Sequence, residues 1–504
     1  MERRELYGLV IMRAVEARVR ALDDQLGESN RLKRDPLPQL QGESSGARCV
    51  DAGRAFATAN RPGVGNALLA AFVLGTLVCV GVAVAVSRSF YGDGAYAVLG
   101  LLAKPMHYID YDFHRSFASF IGQTPVLLGQ RVGLTSVSAY GGLYTFAIDG
   151  LPLLAYVMAL VLARNEPRVF AATALALAVF GFAGNFTNSE GNLFLGLAWL
   201  AGVVLALPGR RRFARGIVLP VLAFALLRIY EGMLLAGPVL AGWAYVRARR
   251  TDDLDEKVGL VLATLLFAIA CAIGFSGYVA PRDAGNFANF ASSTFAYLRN
   301  PQRWLLFASG CILVAVFCRS LPTAIGATLV AVVLALVFAA DMVGLQGYGA
   351  YRIYYQNRAF VVLLMPIALA ALAIADLYGN GRLTGSVDPA RMLALLVPFA
   401  AVVAIDLLGS ARWLAYMNAF CGVLDEPATA STGVARLRAS GAVTGWRWTH
   451  PTLSLLLRRH HSSAIVPNEP GNWEPFDPAG MTLARYRGAC ENRRFGGVRE
   501  TASP

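Results

Sequence analysis

Asp93 stands between two glycines in the stretch YGDGAYAVL, just past an uncharged apolar run at 65–86. A carboxylate there has two readings. Gly-Asp-Gly is good turn chemistry and Asp caps helices, here one starting near Ala95. Alternatively, Asp93 is a base that takes the proton from an attacking hydroxyl. Other polar residues fall in the same kind of segment, between apolar runs. They are Lys104, His107, Asp110, Asp112, His114, Arg115, Gln123 and Arg131, then Glu190, Arg228 with Glu231, Arg282 with Asp283, and the series YRIYYQNR at 351–358. Arg352 and Arg358, then Arg228, Arg282 and Lys104, suit a phosphate, because guanidinium grips phosphate oxygens in pairs and stays charged. Tyr355, Gln123, Asp112, Glu190 and Glu231 supply further polar contacts for a substrate. The plainer readings are solvated loop residues for Asp110, Asp112, His107 and His114, headgroup contacts for Arg352 and Arg358, and an interfacial aromatic belt for Tyr351, Tyr354 and Tyr355. Arg228 and Glu231, at i, i+3, also read as an internal helical ion pair.

The elements that must position these groups are apolar. The 504 residues are 56% hydrophobic and only 15% charged. Several runs approach or exceed the roughly 18 apolar residues of a bilayer-spanning helix. Continuous runs argue against a β-barrel, whose strands alternate in polarity. The expected fold is an all-α polytopic membrane protein. The net charge of +13 sits largely in short basic clusters between apolar runs, such as RNEPR, GRRRFARG and RARR. Cytoplasmic loops look like this, so nucleic-acid binding explains the charge poorly. The N-terminal stretch is broken by charge throughout, and no cleavable signal peptide is expected.

Spans are expected near 65–86, 141–163, 169–184, 193–207, 258–278, 304–318, 323–342, 359–375 and 392–408. Residues 217–246 lie between basic clusters and should make two short passes, turning at Arg228, Tyr230 and Glu231. The total is about eleven. Residues 1–64 form a cytoplasmic tail, and 65–408 the transmembrane region. Residues 87–144 form a long first external loop carrying amphipathic helices on the membrane surface. Residues 409–504 form a small extracytoplasmic domain. In an oxidising space Cys421 and Cys490 can bond, closing a loop worth about 4 kcal/mol in the chain-entropy model; the alternative is two free thiols. No cysteine spacing resembles a metal site.

This plan resembles the GT-C glycosyltransferases. The likeness rests on an acidic residue, in YGDGAYAVL, soon after the first span, on the long external loop 87–144, on many following spans, and on a polar tail from 409. As architecture it covers most of the chain; as sequence it covers the Asp93 region. The lipid-A aminoarabinose transferases and protein mannosyltransferases of that family take sugars from polyprenyl-phosphate carriers. The resemblance implies transfer of a sugar from such a donor to a glycan, lipid or protein acceptor, on the extracytoplasmic face of a bacterial inner membrane. It implies Asp93 as general base, with the external arginines holding the donor phosphate. Some members use no metal and others a divalent ion; Asp110, Asp112 and Glu190 leave Mg or Mn open. Two other readings stand beside it. One is a transporter or flippase for lipid-linked saccharides, which calls for charges buried mid-span and internal symmetry; no internal repeat is found. The other is an O-antigen polymerase or ligase, which calls for a large late external loop.

Overall fold

The computed structural model describes residues 62–91, 93–104, 106–109, 113–182, 190–207, 214–279, 349–378, 387, 389–425, 450–457 and 486–490. Of Asp93 and of residues 349–361 only the backbone is described. Among the described residues the chain is nearly all helical, with no β-strand. α1 (Pro62–Ala85) leads through a 3-10 turn at Arg88–Phe90 into α2 (Asp93–Ala103). A second 3-10 turn, Phe113–Arg115, precedes α3 (Ser116–Arg131). α4 (Val137–Ala163) contains a π-turn at Phe146–Gly150, and α5 (Pro167–Gly181) ends in another. Then come α6 (Glu190–Ala206), α7 (Leu219–Ala225), α8 (Met233–Arg250) and α9 (Leu254–Val279). The later helices are α10 (Gly349–Tyr378), α11 (Pro389–Ala394), α12 (Leu396–Asp425) and α13 (His450–Leu457).

Local chemistry sets several of these ends. Ser136 caps α4 by accepting from the Ala139 N–H, and Asp253 caps α9 by accepting from the Glu256 N–H at 3.0 Å. Pro167 opens α5, where its missing N–H costs nothing. Among the described residues four helices are long and apolar enough to cross a bilayer: Gly65–Ala85, Val137–Ala163, Leu254–Gly277 and Met392–Leu424. These make the chain a helical membrane protein. The last of them differs from the expected 392–408. α12 continues as one helix to Asp425, so the C-terminal region starts as a helical extension of a span. The segments expected at 304–318 and 323–342 lie outside the described residues.

Side-chain contacts fix the directions of the long helices. Let the upper end be the one where α1 finishes. Val84 lies against Gly142 and Val80 against Gly150, so α4 descends beside α1. α6 runs parallel to α4, with Gly196 against the Pro152 backbone. α8 descends and α9 returns upward, pairing Gly237 with Cys271. α10 descends: Leu369 meets Gly202 low on α6, and Asp376 bonds Trp243 and Arg247 at the foot of α8. α12 rises with α1, from Phe399 at Gly75 to Asp406 at Arg88.

This ordering separates the two ends chemically. Arg164, Arg168, Arg215, Arg247, Arg249 and Arg250 all belong to the lower end. There Arg215 donates to Glu256 at 2.6 Å, and Arg247 pairs with Asp376. At the upper end lie the starts of α2, α6 and α10 and the turn between α7 and α8.

Two cores form. The larger joins α1, α4 to α10 and the lower part of α12. The second lies at the upper end and joins α2, α3, the upper half of α12, α13 and residues 486–490. The segment that follows α1 and the C-terminal region thus share one interior. Trp413, fully buried, donates its indole N–H to the Val86 carbonyl at 3.2 Å and packs edge-on against Tyr91. Cys421 and Cys490 are joined by a disulfide inside this unit.

Candidate functional site

Arg115 organises the clearest polar cluster at the upper end. It sits in the 3-10 turn that enters α3, in the loop between α2 and α3. Its Nε–H donates to Glu231 Oε1 at 2.7 Å, and its Nη1 lies 3.6 Å from Glu190 Oε2. The guanidinium also lies over the Tyr230 ring, 5.4 Å from the centroid. Four separate segments therefore meet: the loop, the start of α6, the turn after α7 and the top of α9. The top of α9 admits them because Gly277 has no Cβ. One built there would lie 3.2 Å from the His114 ring and 3.4 Å from Glu231 Cγ. Burial works against the charge of Arg115, but the fields of Glu231 and Glu190 outweigh it and raise the guanidinium above its ordinary value. The side chains of Arg115 and Glu190 keep 24% and 22% of their surface exposed, so solvent and ligands reach the cluster. One cation held by two anions is a poor receptor for phosphate. It is a good receptor for hydroxyl groups, which the carboxylate oxygens accept.

Around Arg228 and Glu231 the backbone is a 3-10 turn at Leu226–Arg228 followed by a non-helical turn, and Glu231 pairs with Arg115. The turning point itself falls where the flanking basic clusters place it.

Asp93 is the first residue of α2, earlier than the helix start near Ala95. Gly94 is required beside it. A Cβ at 94 would lie 2.0 Å from the Ser89 carbonyl oxygen. Ser89 cannot retreat easily: its N–H donates to Thr145 Oγ1 at 3.0 Å and its hydroxyl to the Gly141 carbonyl at 3.1 Å. The preceding Ser87 takes a left-handed conformation, φ 50°.

Sequence reasoning missed the anchor of this turn. Arg88 is fully buried and donates from Nη1 to Asp406 Oδ1 at 2.7 Å and to Ser410 Oγ at 3.3 Å. Its Nε lies 3.5 Å from Asp149 Oδ2, in the π-turn of α4. The available signal was a charged residue inside each of two apolar runs, Asp149 and Asp406, since such residues are costly unless paired or functional.

The other expected site residues are spread out. Gln123 is buried, and its amide is occupied: it accepts from the Ile109 N–H at 2.7 Å and donates to the Ile109 carbonyl at 2.8 Å. Gln130, two turns along α3, clamps the Met106 N–H and the Leu101 carbonyl in the same way. The two glutamines stitch the segment after α2 onto α3. Lys104 is exposed at the end of α2. Arg352, Tyr355 and Arg358 belong to the first turns of α10. Asp376 marks the lower end of that helix, and Arg352 lies 24 residues before it, about 36 Å of helix toward the upper end at ~1.5 Å per residue. Asp110, Asp112 and Arg282 lie outside the described residues. Among the described residues no three His, Cys, Asp or Glu side chains are grouped to hold a metal ion, and Glu190 is engaged by Arg115.

Fold and site together define a class: a helical membrane protein with a polar, partly open cluster at the end opposite its basic turns. No protein-family model matches the chain, and no curated protein or solved structure matches it either.

Proposed function

We propose that the chain is a membrane glycosyltransferase of the GT-C type, with about eleven spans, that moves a sugar from a polyprenyl-phosphate donor to a hydroxyl acceptor. One observation carries this reading: Arg115, Glu190 and Glu231 meet at the end of the bundle where α2 begins with Asp93 and where α10 begins with its arginines. In this reading Asp93 accepts the proton of the attacking hydroxyl. Arg352 and Arg358 neutralise the departing phosphate, and the lipid lies along α10. Glu190 and Glu231 accept hydrogen bonds from sugar hydroxyls. The site faces the extracytoplasmic side of the plasma membrane. Two facts support that sidedness: the basic turns gather at the opposite end, and a disulfide lies at this one.

The test is turnover of polyprenyl-phosphate-linked sugars by purified protein, with Asp93→Asn beside the wild type. Turnover by the wild type and none by Asp93→Asn is expected. Undiminished turnover in the variant removes the base assignment.

A second reading, a carrier for lipid-linked saccharides, is favoured by the buried Arg88, Asp149 and Asp406, which are charges within the bundle. Movement of a lipid-linked saccharide across proteoliposomes, without sugar transfer, would select it.

A further inference from the structure

The Cys421–Cys490 bond sits at a junction that takes no part in the chemistry of either functional reading. Cys421 lies in the last turns of α12, and Cys490 ends the short segment 486–490. That segment touches two other elements, α4 and α13. Arg487 exchanges backbone bonds with the entry to α4: its N–H donates to Thr135 at 2.8 Å, and its carbonyl accepts from Val137 at 3.0 Å. The N–H groups of Ala489 and Cys490 donate to Leu456 and Leu457, the last carbonyls of α13, at 3.0 and 3.1 Å. Tyr486 packs edge-on against Tyr140 of α4, 5.7 Å between centroids. α13 in turn packs on α2, the helix that starts at Asp93. The disulfide is thus the covalent closure of a ring of contacts: α12, segment 486–490, α13, α2, and back through Tyr91 and Trp413 to α12. Its two cysteines are 69 residues apart in sequence, so opening it returns a long loop to the chain.

We propose that the Cys421–Cys490 bond is a redox-sensitive clasp on the upper core: reduction releases segment 486–490 from α12 and loosens α13 and α2, while the helical bundle below stays folded. The two cores supply the reason for this division. Every partner of the clasp belongs to the smaller, upper core, and the bundle helices α5 to α9 make their own interior without it. Cys490 is 5% exposed and Cys421 half-buried, so an attacking thiolate approaches through Cys421. The step is a thiol–disulfide exchange. An external dithiol supplies two electrons and two protons, its own sulfurs close into a disulfide, and Cys421 and Cys490 are left as thiols. This inference is independent of the sugar-transfer reading.

The experiment is amide hydrogen exchange on the purified full-length protein in lipid nanodiscs, oxidised and after dithiothreitol, with thiols counted by mass. A Cys421→Ala/Cys490→Ala variant is measured in parallel. Reduction should speed exchange in residues 93–103, 137–140 and 450–457 by about tenfold or more. The loop-closure relation for a 69-residue separation sets an upper limit of about 10³. Residues 190–206 and 254–277 should not change. The double variant should match the reduced protein; if it does not fold, the reduced wild type alone decides. Three results overturn the proposal: a bond that stays closed in dithiothreitol, unchanged exchange in 93–103 once both thiols are counted, or acceleration spread equally through the bundle.

Discussion

Asp406→Asn tests how the Asp93 turn is anchored. Arg88 has no exposed surface, and its 2.7 Å bond to Asp406 is its short ionic contact. Removing one partner of a buried pair costs about 3–5 kcal/mol, because the remaining charge is left in an apolar interior. Asp149, 3.5 Å from Nε, still faces the guanidinium, so the lower figure applies. A loss of about 3 kcal/mol is a shift of about a hundredfold in the folding equilibrium. Asp149→Asn removes the longer contact and should cost about 1 kcal/mol. Replacing all three by Arg88→Met, Asp149→Leu and Asp406→Leu should recover most of the loss, since apolar replacement of a buried ionic group is often neutral or stabilising. Denaturant unfolding of the purified protein, followed by tryptophan fluorescence, reports all three. The reasoning fails if Asp149→Asn costs as much as Asp406→Asn, or if the triple variant is as unstable as Asp406→Asn.

Gly94→Ala drives a Cβ into the Ser89 carbonyl and should destabilise the upper core by about 3 kcal/mol, read as faster exchange in residues 93–103 against an unchanged α6. Glu231→Gln removes a 2.7 Å charged bond to Arg115 and should cost about 2 kcal/mol; Glu190→Gln, at 3.6 Å and more exposed, should cost under about 1 kcal/mol. Equal effects in unfolding curves would contradict that geometry. Cysteines placed at exposed Lys104 and at Gly349 should react with an impermeant maleimide from one side of sealed vesicles, and one at Arg250 from the other; Lys104 and Gly349 on opposite sides would end the shared-site reading.

Among the described residues the four helices of spanning length were readable in the sequence, because about twenty unbroken apolar residues define a span without reference to any partner. The turn at 229–232 was readable too, since basic clusters flank 217–246 and a chain of that length must reverse between them. The pairing partners were not. Arg115 meets Glu231 across 116 residues, and Arg88 meets Asp406 across 318. Nothing within a helical repeat of any of these residues names the other. Gln123 had the look of a ligand-binding amide in an external loop; packing α3 against the segment after α2 turned it into a backbone clamp. Likewise the loop 87–144 and the region after 409 look like separate pieces along the chain, and only the rise of α12 beside α1 brings them into one core. Hydropathy is a local property, so the sequence by itself determined which segments are helical and apolar and which turns are basic. Which charges neutralise one another depends on how distant helices pack, and only the tertiary structure decided that.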